Sequence, residues 1–465
     1  MQITIANKIS ITDISDEVLN YINLNLVIAN PEYEKKRRMG FWMGKTPQKL
    51  YLYERVGKDY ILPYGCLGDI CNNYIVKGRD SFVNGFRTAP KVDYGDADVP
   101  LYDYQKPAVD RMYTQGFGIL QAPAGSGKTQ MGIALAIRHS KRCLWVTHTQ
   151  DLLNQSYDRA AKYVDTNKLG TITEGKVNIG ECMTFATVQT LCRCDLQEMK
   201  HYWDVIIVDE CHRVAGTPTQ LSMFGTVLSS LCARHKYGLS ATLHRADGLI
   251  KATYAYLGRV QYAVSEEDVA DKIMKVGIQP IATGIPMNMD WLEADGMINH
   301  TKLVTELTEC RERNEIIIKT LIDNKEYSSL ILTDRIAHLE TLISMLPEDM
   351  QKDAVMITGK MTSKKAKEMR KQAIADMQSG KKKYLFATFS LAKEGLDIPR
   401  LERVYFTTIQ KDYAVVTQAI GRVARTCEGK ADPICMDFID NFSYSLKAYK
   451  KRWTSYRKIG CYEVK

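Results

Sequence analysis

Short apolar runs alternate with stretches of helical periodicity through most of this chain, and that alternation sets the fold class. Between about residues 97 and 285 the runs Gly118 to Leu120, Cys143 to Thr147, Asp204 to Val208 and Lys236 to Leu239 read as strands separated by helical patterns. The rhythm belongs to βαβ units, which build a parallel sheet. A turn-rich connector, Gly284-Ile285-Pro286 through Gly296, interrupts it. A helix is expected from about Ile298 to Asn324. A second alternating series follows, with strands at Ser329 to Thr333, Ala354 to Ile357, Tyr384 to Ala387, Arg403 to Thr407 and Pro433 to Phe438. The pattern therefore predicts an α/β protein of two tandem lobes with parallel sheets. Upstream, residues 1–95 are rich in Tyr, Phe and Trp and carry turn signals at Asn30-Pro31, Leu62-Pro63-Tyr64-Gly65 and Asp93-Tyr94-Gly95. They read as a small N-terminal α+β domain, separate from a first lobe at 96–285 and a second at 286–446.

Composition narrows the class. A chain of 465 residues with 45% hydrophobic and 25% charged residues is neither disordered nor fibrous, and it is too long for a disulfide-stapled module. Lys and Arg number 63 against 54 Asp and Glu, a net charge of +9 that permits an anionic partner without demanding one. The excess is concentrated. Asn441 to Lys465 hold seven Lys and Arg against one Glu, and Gln351 to Lys383 hold ten against three acids. Residues 447–465 are expected to form a basic aromatic tail in which Lys451, Arg452 and Trp453 meet phosphates and bases. The first residues lack the order of a secretion signal and no apolar stretch reads as a membrane span, so a cytoplasmic protein with reduced thiols is expected. The twelve cysteines are scattered, which suits small buried thiols better than a zinc site.

The chemistry lies in two segments of the first lobe. Ala122-Pro-Ala-Gly-Ser-Gly-Lys-Thr129 follows an apolar run and opens a helical pattern, Met131 to Arg138. This is a phosphate-binding P-loop in its strand, loop and helix context. Ala124, Gly125, Ser126 and Gly127 are small enough for successive N–H groups to point at phosphate oxygens. Lys128 is placed to neutralise the β and γ oxygens, and Thr129 offers a hydroxyl to Mg²⁺. Eighty residues on, Trp203-Asp-Val-Ile-Ile-Val-Asp209-Glu210-Cys211-His212 is an apolar strand ending in two adjacent carboxylates. Neighbouring side chains diverge at a strand end, so Asp209 is assigned to the metal and Glu210 to the attacking water. ATP and Mg²⁺ are the implied ligands.

Asp-Glu-Cys-His after a P-loop resembles the DExH signature of superfamily 2 helicases, and the remaining motifs of that family follow in order over about residues 100–440. The resemblance implies two RecA-like lobes. It implies that Gln105, inside Leu101-Tyr-Asp-Tyr-Gln-Lys-Pro-Ala-Val109, reads adenine. The segments Val146-Thr-His-Thr-Gln-Asp-Leu-Leu-Asn-Gln155 and Thr184-Phe-Ala-Thr-Val-Gln-Thr190 resemble the family's nucleic-acid contacts, which implicates Thr147, Gln155 and Thr187. Gly238-Leu-Ser-Ala-Thr-Leu-His-Arg-Ala-Asp-Gly248 is similar to the Ser-Ala-Thr motif, extended by Arg245 as in branch-remodelling members. In the second lobe, Phe386-Ala-Thr388 through Gly395-Leu-Asp397-Ile-Pro399 resembles the motif whose glycine meets the γ-phosphate and whose aspartate meets the ribose, with Thr388 on nucleic acid. Gln418-Ala-Ile-Gly421-Arg422-Val-Ala-Arg425 is similar to the arginine-finger motif, with Arg422 and Arg425 sharing a helix face. Within the superfamily, Arg311-Glu-Arg-Asn314 and Thr333-Asp-Arg-Ile-Ala-His338 look like the second lobe of phage UvsW-type branch-migration helicases and XPB-like DNA translocases.

The expected function is an ATP-hydrolysing DNA motor, monomeric, that remodels branched or forked DNA in replication, recombination or repair. A strand-separating DNA or RNA helicase, a restriction-complex motor subunit and a nucleotide-gated scaffold are the alternatives.

Overall fold

Apolar runs long enough for four to six strand residues become the interior of two sheets. The computed structural model describes every residue except 76–78, 124, 216, 242, 244–247, 270–272, 294–296, 360–363, 393–395, 397 and 465, and the side chains of 218–220, 364, 365, 367 and 392 are left aside as well. It divides into residues 1–265 without 124–126, and residues 266–465 with them.

The first unit holds an eight-stranded sheet. In spatial order its strands are Lys176–Asn178, Leu169–Thr173, Met183–Thr187, Cys143–Thr147, Val205–Val208, His235–Ser240, Phe117–Gln121 and Val260–Ala263. All neighbours are parallel apart from the outermost hairpin. Cys143–Thr147, Met183–Thr187 and Val205–Val208 are buried along their whole length, as a strand covered on both faces must be. Register then fixes the site. Val208 lies beside Gly238 and Ser240 beside Gln121, so the segments leaving three adjacent strands emerge together at one sheet edge. That carboxyl edge is where open parallel sheets bind ligands. The P-loop helix, Lys128–His139, packs tightly against the sheet. A Cβ on Gly132 would sit 2.7 Å from the Trp145 ring and 2.8 Å from a Leu239 methyl, which explains a glycine that costs a helix interior about 1 kcal/mol.

The second unit holds a seven-stranded, wholly parallel sheet in the order Ala354–Ile357, Tyr384–Thr388, Ser329–Thr333, Arg403–Phe406, Ile434–Ile439, Gly277–Ala282 and Tyr462–Glu463. Two α/β lobes with parallel sheets, the expected fold class, are present. No helix among the described residues is long and apolar enough to cross a membrane. All twelve cysteines are free.

Four expectations need correction. Gly277–Ala282 pairs with Ile434–Ile439, so the second lobe begins before residue 285. The sequence hid this strand behind Pro280, which stands past the end of the two-residue Tyr462–Glu463 pairing, on an open edge where proline is tolerated. The single helix expected from Ile298 to Asn324 is two, His300–Glu309 and Arg311–Asp323, broken where Cys310 turns extended. Residues 1–95 are not a separate domain. Their mixed five-stranded sheet has a core of Ile3, Ile9, Ile11, Val18, Ile22 and Leu62 that runs on into Ala215, Leu221, Leu249, Ala252 and Ala255. Lys236 is fully buried in the same unit, donating from Nζ to the Leu228 carbonyl (2.7 Å) and the Asn7 carbonyl (3.4 Å). Lastly, residues 447–465 are not a free tail but contain most of the helix Ser443–Lys458. Ser445, Ala448, Arg452, Ser455 and Tyr456 form its buried face, while Lys447, Lys450, Lys451, Arg457 and Lys458 stay outside.

Buried charge organises the second unit. Arg313 and Asp440, both without exposure, pair at 2.8 Å, and Arg313 also donates to the Thr407 carbonyl at 2.7 Å. Beside Arg313, His338 is held between the Thr333 hydroxyl and the Asn314 amide oxygen, each at 2.8 Å. Burial, with help from the Arg313 charge, pulls its imidazole down to about 3. A depressed histidine contributes stability that is intact above its unfolded pKa of about 6.5 and is lost as pH falls towards the folded value. Between pH 7.5 and 5.5, His338 should therefore remove about 1 kcal/mol of stability. Thermal midpoints measured at the two pH values should show His338→Gln losing less on acidification than the parent, and an equal loss would refute the assignment.

Candidate active site

The P-loop is shaped by backbone that only small residues tolerate. Gly125 and Gly127 adopt φ of +86° and +77°, and a Cβ on Gly127 would meet Gln105 Nε2 at 2.5 Å. Ala122 N–H donates to the Ser240 carbonyl at 3.0 Å, tying the loop to the neighbouring strand end. Lys128, at the first position of the helix, folds back so that Nζ donates to the Ala122 and Pro123 carbonyls at 3.2 Å each. Thr129 follows it, half-buried, and Ser126 is buried.

Asp209 and Glu210 stand at the end of the Val205–Val208 strand. Asp209 is buried, with Oδ1 accepting the Glu210 N–H at 2.9 Å and Oδ2 accepting the Ser156 hydroxyl at 3.3 Å. Burial pushes its carboxyl up to about 7, with the Glu210 charge adding to the rise and the Lys128 ammonium opposing it. Glu210 has φ +47°, a left-handed conformation that costs a non-glycine residue on the order of 1–3 kcal/mol. Its Oε2 lies 3.3 Å from His212 Nδ1, which in turn faces the Ser240 hydroxyl at 3.1 Å. The Ser-Ala-Thr and Asp-Glu-Cys-His segments thus touch through two side chains.

In the second unit, the helix Tyr413–Val423 carries Gln418 and Arg422 one turn apart. Gln418 is buried, and its Oε1 has no hydrogen-bond partner among the described residues. Arg422 donates to the Leu396 carbonyl at 3.2 Å. Arg425 does not share the helix. The helix stops at Val423, and Arg425 forms an isolated bridge with Ile273. Lys430 satisfies the end of the helix: its Nζ donates to the carbonyls of Val423 (2.7 Å) and Arg425 (2.6 Å), which a continuing helix would use, and to that of Pro399 (2.9 Å).

The other expected positions divide. Gln105 is buried, with Oε1 accepting the Tyr102 N–H at 2.9 Å beside the stacked rings of Tyr102 and Tyr104. Thr147 is fully buried and donates to the Thr149 carbonyl at 3.0 Å, so its hydroxyl faces inward instead of meeting a phosphate. Thr187 and Thr388 are nearly buried and turn to Thr190 (3.1 Å) and Ser390 (2.8 Å). Gln155 is half-exposed on the helix Gln150–Ala160. Arg452 is not a nucleic-acid contact. It pairs with Asp437 through both oxygens at 2.9 and 2.7 Å, donates to the Gln410 carbonyl at 2.8 Å, and is 1% exposed. Trp453 packs against the second unit's core, leaving Lys451 exposed. Ala124, Arg245, Gly395 and Asp397 lie outside the described residues. Sequence reasoning missed Ser156 and Lys430. Ser156 sits one residue past a segment already singled out, and no sequence signal marks Lys430.

Two family descriptions match the chain. They are the Type III restriction enzyme, res subunit, over residues 98–245, and the helicase conserved C-terminal domain over residues 312–427. The chain belongs to superfamily 2 of the helicases. Members of this superfamily are ATP-hydrolysing enzymes. A putative ATP-dependent RNA helicase of Acanthamoeba polyphaga mimivirus is 25% identical over 354 residues, or 75% of this chain and 65% of the relative, so the match spans slightly less than two thirds of that protein. A probable helicase of Escherichia phage T5 is 26% identical over 346 residues, 74% of this chain and 72% of the other. Among solved structures, S. cerevisiae Dbp5 bound to RNA and ADP BeF3 covers 80% of this chain and 96% of its own at a TM-score of 0.56 and 14% identity, a likeness of fold.

The residues fit ATP and Mg²⁺. Gly125 and Gly127 hold the positive φ that a loop of inward-facing N–H groups needs, and the buried carboxyl of Asp209, raised by burial and by a second acid, is a ligand whose ionised form a divalent cation would favour. Two consequences are measurable without turnover. Glu210→Gln removes the like charge beside Asp209 and should raise the thermal midpoint of the nucleotide-free protein, by about 1 kcal/mol in stability. Lys430→Met leaves three carbonyls without their donor and should lower it by on the order of 1–3 kcal/mol. Unchanged midpoints would remove the corresponding interaction from the account.

Proposed function

We propose that the chain is an ATP-driven DNA translocase that remodels branched DNA, by branch migration or fork reversal. The placing of Lys128, after the Phe117–Gln121 strand, and of Asp209 and Glu210, after the Val205–Val208 strand, at the same edge of one parallel sheet with His235–Ser240 between them carries the catalytic half of this reading. In it, Lys128 leaves the Ala122 and Pro123 carbonyls for the β and γ oxygens of ATP. Thr129 and Asp209 hold Mg²⁺, which supplies charge neutralisation on the phosphates when bound. Glu210 takes a proton from the attacking water as its oxygen bonds to the γ-phosphorus, and the bond from that phosphorus to the β–γ bridging oxygen breaks, releasing ADP. The family resemblance gives Arg422 and Arg425 the role of arginine fingers that stabilise charge on a transferred phosphoryl group, with Gln418 on the same helix as Arg422 alone. Gln105 and the paired rings of Tyr102 and Tyr104 provide an amide and an aromatic surface for adenine.

The choice of DNA rests on the resemblance to branch-remodelling members and on the basic faces that both units leave exposed, including Lys447, Lys450 and Lys451. Such contacts go to phosphates, so binding should weaken steeply with salt and depend little on sequence. An RNA helicase is the second reading, and the naming of the mimivirus relative favours it.

ATP turnover measured across a panel of nucleic acids separates these readings. Forks and four-way junctions should stimulate the parent protein more than plain duplex, single strands or RNA. Lys128→Ala should lower turnover at least a hundredfold on every substrate. Strongest stimulation by RNA would replace the DNA reading, and full turnover by Lys128→Ala would end the motor reading altogether.

A further inference from the structure

Of the five tryptophans, Trp145, Trp203 and Trp291 are buried and Trp453 packs against a core, but Trp42 is 88% exposed. It lies between the helix Pro31–Arg38 and the strand Lys49–Tyr51, with Phe41 and Met39 beside it at 57% and 53% exposure. Leaving this much apolar surface in water gives up stabilisation that burial would supply.

The loop that carries it is held, not slack. Asn30 caps the helix by accepting the Glu32 N–H at 3.0 Å, and its Nδ2 and backbone N–H donate to the carbonyls of Pro47 (2.8 Å) and Gln48 (2.9 Å). Lys36 Nζ donates to the Thr46 hydroxyl at 2.7 Å, the Phe41 N–H to the Lys36 carbonyl at 2.9 Å, and the Thr46 N–H to the Met43 carbonyl at 2.9 Å. Gly44, at φ +50°, lies against the indole, where a Cβ would come within 3.0 Å of ring carbon Cζ3. The ring therefore rests on glycine backbone and offers the rest of its surface to solvent. Beside it opens a cleft of about 460 Å³ whose lining includes Asn30, Lys36, Trp42 and Thr46.

Charge selects the occupant. Residues 31–50 hold six Lys and Arg, at 35 to 38, 45 and 49, against Glu32 and Glu34. A rigid aromatic face inside a cationic rim matches a nucleobase with its phosphates better than an apolar protein surface. We propose that this loop is a stacking site for an unpaired base at a nucleic-acid junction, with Trp42 as the platform and the Lys35 to Arg38 side as the phosphate contact. The proposal rests on the nucleic-acid motor reading and deepens it by naming where an unpaired strand is gripped.

Because Trp42 dominates the solvent-facing indole, the full-length protein reports on itself. Fluorescence is titrated with a blunt duplex, a fork with unpaired arms and a single strand. The fork and the single strand should quench the parent's emission, and Trp42→Phe should abolish the quench while keeping most of the affinity. Trp42→Ala should weaken fork binding about tenfold, with the thermal midpoint unchanged and the slope of log affinity against log salt also unchanged, since no phosphate contact is lost. Parental fork affinity in Trp42→Ala, or a quench that persists in Trp42→Phe, overturns the stacking site. If the parent still hydrolyses ATP faster on forks in that case, the motor reading survives alone. If no nucleic acid changes the emission while salt-dependent binding persists, the loop is left to a protein partner and the proposal fails.

Discussion

Two carboxylates side by side at the end of a buried strand are an electrostatic cost that the rest of the first unit is arranged to bear. Asp209 has lost its water and faces the charge of Glu210, offset by the Lys128 ammonium and two hydrogen bonds. Glu210 adds backbone strain at φ +47°. Nothing in the packing of the Val205–Val208 strand requires either acid, since the strand is complete at Val208 and its neighbours pair through Val146 and Gly238. A fold retains such a pair when a ligand repays the cost, and a divalent ion held against triphosphate is the ligand that Lys128 and the glycine cradle also fit.

Charges are also buried where no ligand is in question, and there they act as pins. Arg313 with Asp440 and Arg452 with Asp437 each join a helix to the Ile434–Ile439 strand or its end. Tyr456 donates to the same Asp437 at 2.9 Å. Each cation is paired in both directions and also donates to a backbone carbonyl, which is the condition under which buried ions escape a large desolvation penalty. Breaking one partner would leave the other charge stranded. The two pins therefore fix where the helices attach, whatever their net contribution to stability.

The legible part of this protein was the part governed by local rules. Strand positions, the P-loop and the paired acids were readable because continuous apolar runs between helical patterns, small residues around phosphate and adjacency at a strand end leave direct marks in the sequence. Arg452 was misread for the converse reason. A basic and aromatic helix has the same composition whether its cations face solvent or one of them turns inward, and the partner that decides it, Asp437, lies in a separate strand. Lys430 was invisible on the same grounds, because its three carbonyl partners carry no side-chain signature. Pro280 misled more simply, since proline argues against an interior strand and says nothing against an open edge.

The most consequential of these differences concerns residues 1–95. A separate module on a linker would let its contacts move independently of the nucleotide site. Here the core shared with Leu249, Ala252 and Ala255, the Lys236 hydrogen bonds and the bidentate pairing of Arg259 with Asp69 make the N-terminal sheet an extension of the first lobe. Anything held by the Asn30–Leu50 segment then belongs to the same unit as Lys128, Asp209 and Glu210. For the motor proposed above, such continuity on the nucleotide side would confine movement to the place where it performs work.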